Sequence, residues 1–353
     1  MPADYHTAAE RAVKRGSVLA SAALGAALTP LNSTMVAVAL PALSMEFASP
    51  AATVTLFVVT GYLVATIVSQ LPAGSVADRV GYARALTWGR LLFGGGAAVG
   101  PALGAFMTAH FGWRSLFVIN VPLLLLSWLL QPRVEDDHQA VRRREFSYLS
   151  LLRNPGFMAG AGVVSTQNLA MYSLLVQVPF LFGGSDGTDA GLGLAIIAMT
   201  LTMAATSPLG GWLVEWVGVK VVVAAGGLLG AAGVAALSAL PAAASAREVG
   251  TRLLLVGLGL GLSTGPANAV ALTAVPQEQS AMASATMAML RYFGAIAGTL
   301  ILSAAFGTGE AAGARQHLAL WIFVAALIVS AGLGATLPAL PGQRYFRRSA
   351  SAN

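Results

Sequence analysis

Ten apolar stretches, each long enough to cross a bilayer, dominate this chain of 353 residues. They run near 17–40, 52–73, 85–108, 114–130, 157–182, 190–214, 219–241, 252–275, 281–306 and 317–339. A span needs about 20 predominantly apolar residues. In lipid each must be a helix, because a helix satisfies its own backbone polar groups and an open strand does not. The short alternating segments of a membrane barrel are not present. Charge content agrees: Lys, Arg, Asp and Glu make up 10% of the residues, against about 25% in soluble domains, and mean hydropathy is +0.74. The expected fold class is all-α and polytopic, with about ten transmembrane helices.

Several function classes drop out at once. The chain has no cysteine, so no disulfide framework, thiolate zinc site or catalytic thiol is available. No phosphate-binding loop is present, which argues against ATP-driven transport. Gly183–Gly187 matches the spacing of a nucleophile elbow but lacks the strand–turn–helix context. No enzyme activity, catalytic residue, metal or cofactor is expected. The formal charge is +6, yet the basic residues sit between apolar runs rather than in a patch, so membrane lipids and not nucleic acid are the expected partners.

Arg11, Lys14 and Arg15 precede the first apolar run, which is too long for a signal peptide and reads as a retained helix. Lys and Arg favour cytoplasmic segments. With the N-terminus inside, fourteen basic side chains fall in inside segments and four outside. Both termini are therefore expected in the cytoplasm of a plasma (inner) membrane protein. Residues 131–154 read as a basic cytoplasmic linker between an N-terminal bundle, 1–130, and a C-terminal six-helix bundle, 155–353.

The two halves repeat. Gly74-Ser-Val-Ala-Asp78-Arg79-Val-Gly81 and Gly211-Trp-Leu-Val-Glu215-Trp-Val-Gly218 share a glycine, an acid four later and a glycine seven later. Beyond this loop they diverge. From Gly81 to Leu130 is 49 residues, room for two spans, whereas from Gly218 to Ala339 is 121 residues, room for four. A six-plus-six repeat whose first half has lost two helices accounts for the difference and preserves the orientation of everything downstream.

These residues resemble the major facilitator superfamily, and within it drug:proton antiporters of the QacA/EmrB type. Leu31-Asn-Ser-Thr-Met-Val-Ala-Val-Ala-Leu-Pro41 is similar to that group's first-helix motif. The Gly74–Gly81 loop resembles the superfamily motif after the second helix. Gly96-Ala-Ala-Val-Gly100-Pro101-Ala-Leu-Gly104 resembles the exporter motif, and Trp113–Pro122 the entry to the following helix. The resemblance implies two helical bundles rocking around a midplane site, multidrug efflux by antiport, and a role in antibiotic resistance. It also implies that Gly74, Asp78, Arg79, Gly81 and Glu215 form conformational latches. Gly96, Gly100, Pro101 and Gly104 would form a bent, close-packed helix.

A departure concerns coupling. The family's first-helix aspartate is Asn32 here, and none of the fourteen acids falls near the middle of a span. Proton-coupled export needs a buried group that gains and loses a proton. The resemblance thus implies protons as partners, while the residues supply no carrier. The binding candidates for a small-molecule substrate are Asn32, Tyr62, Gln70, Asn168, Tyr172, Gln177 and Asn268, with Arg291 as a charge deep in its span. Each has a plainer reading as an interhelical hydrogen bond, and Arg291 as a side chain snorkelling to the cytoplasmic surface. Glycines at 257, 261 and 265 form a stripe that suits either a sliding contact between halves or static packing. Alternating-access export is one functional reading; a degenerate, non-transporting membrane protein is the other.

Overall fold

The computed structural model describes residues 40, 43–48, 51–61, 63–64, 110–112, 114–119, 122, 148–182, 190–241, 243–276, 279–306 and 311–338. Every regular element among them is helical: α1 (Ala51–Val54), continuing as a π-helical stretch Thr55–Thr60, then α2 (Ser115–Val118), α3 (Tyr148–Leu152), α4 (Pro155–Phe182), α5 (Ala190–Val217), α6 (Val219–Ser238), α7 (Ala246–Thr273), α8 (Ser280–Ala305) and α9 (Ala311–Thr336). Five of these, α5 to α9, are long and apolar enough to cross a membrane. Helix α4 is as long but carries Ser165, Thr166, Gln167, Asn168, Ser173 and Gln177, of which Gln167, Asn168, Ser173 and Gln177 are buried.

Helices α4 to α9 form a bundle in which α5 and α6 pack on α7, α9 packs on α6, and α4 lies against α7, α8 and α9. Lipid tails are as apolar as leucine, so close backbone approach and dispersion hold such helices together rather than water exclusion. Glycines make that approach possible. A Cβ at Gly257 would fall on the Met199 carbonyl oxygen, one at Gly261 on Thr206 and Met203, and one at Gly265 near Ser207. This stripe therefore joins α7 to α5 inside one half and is not a sliding surface between halves.

Local signals set the ends. Helix α7 begins at Ala246 rather than near 252, because Ser245 and Glu248 form a capping box: the Glu248 amide donates to Ser245 Oγ, and the Ser245 amide donates to Glu248 Oε2 at 2.9 Å. The turn from α5 into α6 rests on Gly218, at φ 88° and ψ 153°. That region is essentially closed to side-chain-bearing residues and costs of order 1–3 kcal/mol to occupy. We expect Gly218→Ala to lower thermal stability of the detergent-purified protein by about that amount; an unchanged melting temperature would remove this role for the glycine.

Within the stretch read as a linker, residues 148–152 form α3, and Leu151 is buried beside Phe157 and Leu337. Residues 131–147 lie outside the described residues.

Two apolar cores stack along the bundle. One sits at the end bearing Arg153 and Lys220, with Phe157, Val214, Val219, Ala271 and Leu337. The other lies toward the opposite end and includes Phe182, Leu192, Leu240, Leu302 and Leu320. Among the described residues, Leu40, Leu43, Val54, Val59 and Leu63 of the N-terminal half pack into this second core.

Candidate functional site

Helix α4 buries Gln167, Asn168, Ser173 and Gln177 against its neighbours. Gln167 is buried, and its amide nitrogen donates to Ser263 Oγ on α7 at 2.8 Å and Ser330 Oγ on α9 at 3.2 Å. Its carbonyl oxygen accepts from Thr264 Oγ1 at 2.7 Å. One side chain thereby ties three helices. Ser263 donates to the Gly259 carbonyl of its own helix, and the single Thr264 hydroxyl proton is shared between Gln167 Oε1 and the Leu260 carbonyl, so the hydroxyls stay satisfied without Gln167 and the network contributes about 1 kcal/mol rather than several.

The network continues one turn along α7. The Asn268 amide nitrogen donates to the Thr264 carbonyl at 3.0 Å, and Arg291 Nη2 on α8 donates to Asn268 Oδ1 at 3.3 Å. Both residues are half-buried. Arg291 thus reaches across to a neighbouring helix. Beside it Tyr292 meets Tyr172 of α4 edge-on, ring centroids 6.5 Å apart, with both rings buried.

The other candidates divide. Asn168 is buried and donates to the Val164 carbonyl of its own helix at 2.8 Å. Gln177 is buried where its amide nitrogen donates to the Gln316 carbonyl at 2.9 Å, joining α4 to α9. Its Oε1 has no partner among the described residues. Asn168, Tyr172, Asn268 and Arg291 lie on the mutually packed helices α4, α7 and α8, whereas Gln177 lies toward the far end of α4. Glu215 is exposed, with no ion pair among the described residues. Asn32, Tyr62, Gln70, Gly74, Asp78, Arg79, Gly81, Gly96, Gly100, Pro101 and Gly104 lie outside the described residues.

Sequence reasoning missed the contact between halves. The π-helical stretch Thr55–Thr60 lies against α8, and Thr60 and Thr299 share a hydrogen bond at 3.3 Å between their hydroxyls. π-Helical turns often mark functional positions, but no residue pattern announces one. Nearby, Arg114 pairs with Glu46 at 3.0 Å. The pair is solvent-exposed and contributes at most about 1 kcal/mol, so it tethers two loops without locking them.

Among the described residues no three His, Asp or Glu gather to hold a metal. The described interior of the bundle offers amides, hydroxyls, aromatic rings and one guanidinium.

The arrangement has known counterparts. The chain is similar to the multidrug resistance protein Stp of Mycobacterium tuberculosis, 26% identical over 286 residues, 63% of this chain and 52% of that protein. It thus spans about half the length of that relative. It is also similar to the uncharacterized transporter YebQ of Escherichia coli, 23% identical over 410 residues, 82% of this chain and 89% of the relative. The fold matches the crystal structure of a bacterial homologue of the human lysosomal transporter Spinster, with a TM-score of 0.64 and 15% identity, over 91% of this chain and 96% of that one. The family model described as Major Facilitator Superfamily matches residues 82–299, more than half of the sequence. On that match, supported by the fold, the chain belongs to the major facilitator superfamily.

Proposed function

We propose that this protein is a multi-pass membrane transporter, not an enzyme, that exports small amphipathic compounds by alternating access between two helical bundles. The observation that carries this reading is the family match over residues 82–299, beside a fold in which Leu40, Leu43, Val54, Val59 and Leu63 pack into the C-terminal bundle in the core toward Phe182 and Leu302. The charge bias of the loops favours a plasma-membrane protein with both termini in the cytoplasm. The multidrug description of Stp supports the substrate class. Expression in a pump-deficient host tests it: export of a lipophilic dye no faster than the vector control would overturn the reading.

The first-helix and exporter motifs favour the QacA/EmrB type, with an N-terminal half reduced to four helices. The alignment with YebQ supports the reduction, since it runs over 410 positions and this chain has only 353 residues in all. Much of the relative therefore has no counterpart here.

Coupling is the second departure. Asn32 cannot titrate, and no carboxylate lies near mid-span. We expect an uncoupler that collapses the proton gradient to leave export nearly unchanged, and Asn32→Asp to make export gradient-dependent. Dye export measured with and without the uncoupler decides this; abolition in the parent protein would show a carrier elsewhere.

A further inference from the structure

The contact between the halves is made by a helical turn that holds one residue too many. Along Thr55–Thr60 the chain is π-helical, and the Gly61 amide returns to the Phe57 and Val58 carbonyls, so the surplus is confined to this turn. The buried side chains before and after it are Val54, Val59 and Leu63, spaced five and then four apart. In an α-helix residues five apart lie about 140° round from each other, so Val54 and Val59 would not share a face. A π turn closes on the fifth residue and brings them together. Thr53, Phe57, Gly61 and Val64 make up the exposed side. The π form therefore aims Val59 into the core that holds Ala295 and Leu302 of α8, and Thr60 at Thr299.

This contact is able to come apart cleanly. The Thr299 hydroxyl donates to the Ile296 carbonyl of its own helix at 2.9 Å, which makes Thr60 the donor between the two hydroxyls. When Thr60 turns away, Thr299 keeps its bond, and Thr60 gains the carbonyl one turn back that helical threonines commonly use. Neither hydroxyl is orphaned. The packing of α8 on α4 is different, because there Gly294 and Gly298 sit against the backbone of Ser165 and Leu169.

We propose that Thr55–Thr60 is a register switch. In the π form it holds Val59 and Thr60 against α8. Rewound as α-helix, it turns the residues beyond it by one residue step, about 100°, and both leave α8 together. The N-terminal helix is thereby released from the C-terminal bundle. The use of the switch, as the step that lets the halves part, rests on the export reading above; its existence does not.

Deleting Phe57 tests it. That side chain is 73% exposed, so no core contact goes with it. Val54 and Val59 become four apart and share a face of a plain α-helix, which keeps the contact and removes the surplus that rewinding needs. The chain has no cysteine, so a Thr299→Cys thiol can be followed alone with N-ethylmaleimide in the purified full-length protein. Thr299 and Ser330 are both fully buried, the second inside the C-terminal bundle. The Thr299→Cys thiol should react at least about tenfold faster than the Ser330→Cys thiol, because a local opening is cheaper than opening the bundle. Deletion of Phe57 should abolish that difference. The shortened protein should melt no lower than the parent, and Thr60→Cys with Thr299→Cys should still form a disulfide in it on oxidation.

Equal labelling of Thr299→Cys with and without Phe57, or loss of the disulfide on deletion, would overturn the switch. Should the shortened protein not purify, equal labelling of Thr299→Cys and Ser330→Cys in the parent background overturns it, and the tenfold excess supports it. Dye export is read separately. A fall of at least about tenfold on deletion assigns the switch to the gating step of transport, and undiminished export removes that assignment. If the parent exports nothing, the export reading fails while the labelling still decides the switch.

Discussion

Gly298→Val should leave little protein that survives purification, whereas Gly332→Ala should purify at least as well as the parent. Both glycines lie inside long helices, so propensity alone predicts that each substitution stabilises, by about 0.5–1 kcal/mol for alanine. Surroundings reverse the sign at one of them. A Cβ at Gly298 would fall on the Leu169 carbonyl oxygen and Ser173 Oγ of α4, and one at Gly294, a turn earlier, on Ser165. The obstacles are mostly backbone, which cannot rotate away, so α4 and α8 would have to separate. Separation would break the Ser165 Oγ bond to the Leu290 carbonyl and pull Tyr292 from Tyr172. Overpacking of this kind costs about 3 kcal/mol, and valine adds two methyl groups beyond the Cβ. Nothing lies within 4 Å of the corresponding position at Gly332, so alanine there gains its helical preference freely. Thermal unfolding of both variants in detergent is the measurement. A Gly298→Val protein melting with the parent would mean that α4 and α8 are further apart than described.

The same contrast shows what could be read from sequence. Hydropathy located the helices of the C-terminal bundle to within a few residues, because length and apolarity are imposed by the bilayer. It misplaced two starts by six residues: that of α9, at Ala311 rather than 317, and that of α7, whose first turn is polar and is defined by the Ser245–Glu248 cap. The box was visible as Ser-x-x-Glu but preceded the apolar run that drew attention. Periodicity placed Gly257, Gly261 and Gly265 on one face yet could not say which helix that face meets. A spacing specifies a surface, and the partner is a tertiary fact. For Arg291, sequence gave depth but not direction. Its bond to Asn268, 23 residues earlier, is a tertiary fact. The tie that Gln167 makes to Ser263, Thr264 and Ser330 is likewise a tertiary fact, because serine and threonine in spans usually bond to their own helix.

On the reading that the first half lacks two helices, inserting a two-helix segment of YebQ after the Gly74–Arg84 loop should raise dye export several-fold over the parent while leaving the melting temperature of the C-terminal bundle unchanged. The two halves of this expectation have different physical sources. Helix α5 is the least covered of the five clear spans, with 33% of its central window buried against 44–56% in the others. Leu194, Leu201 and Leu209 stand exposed along one of its faces. Lipid tails solvate such leucines as well as protein does, so absent helices cost the bundle little and their return adds little stability. A substrate path differs. With fewer helices around it, an amphipathic compound can leave sideways into lipid before crossing, and the path leaks without unfolding. Closing that side improves transport without repacking α4 against α7, α8 and α9. Export and thermal melting measured on the same two proteins separate the readings. Equal export by both would make the shorter form a complete transporter. Export confined to the extended form, from a parent that is well folded but silent, would make the present chain a degenerate member of the family.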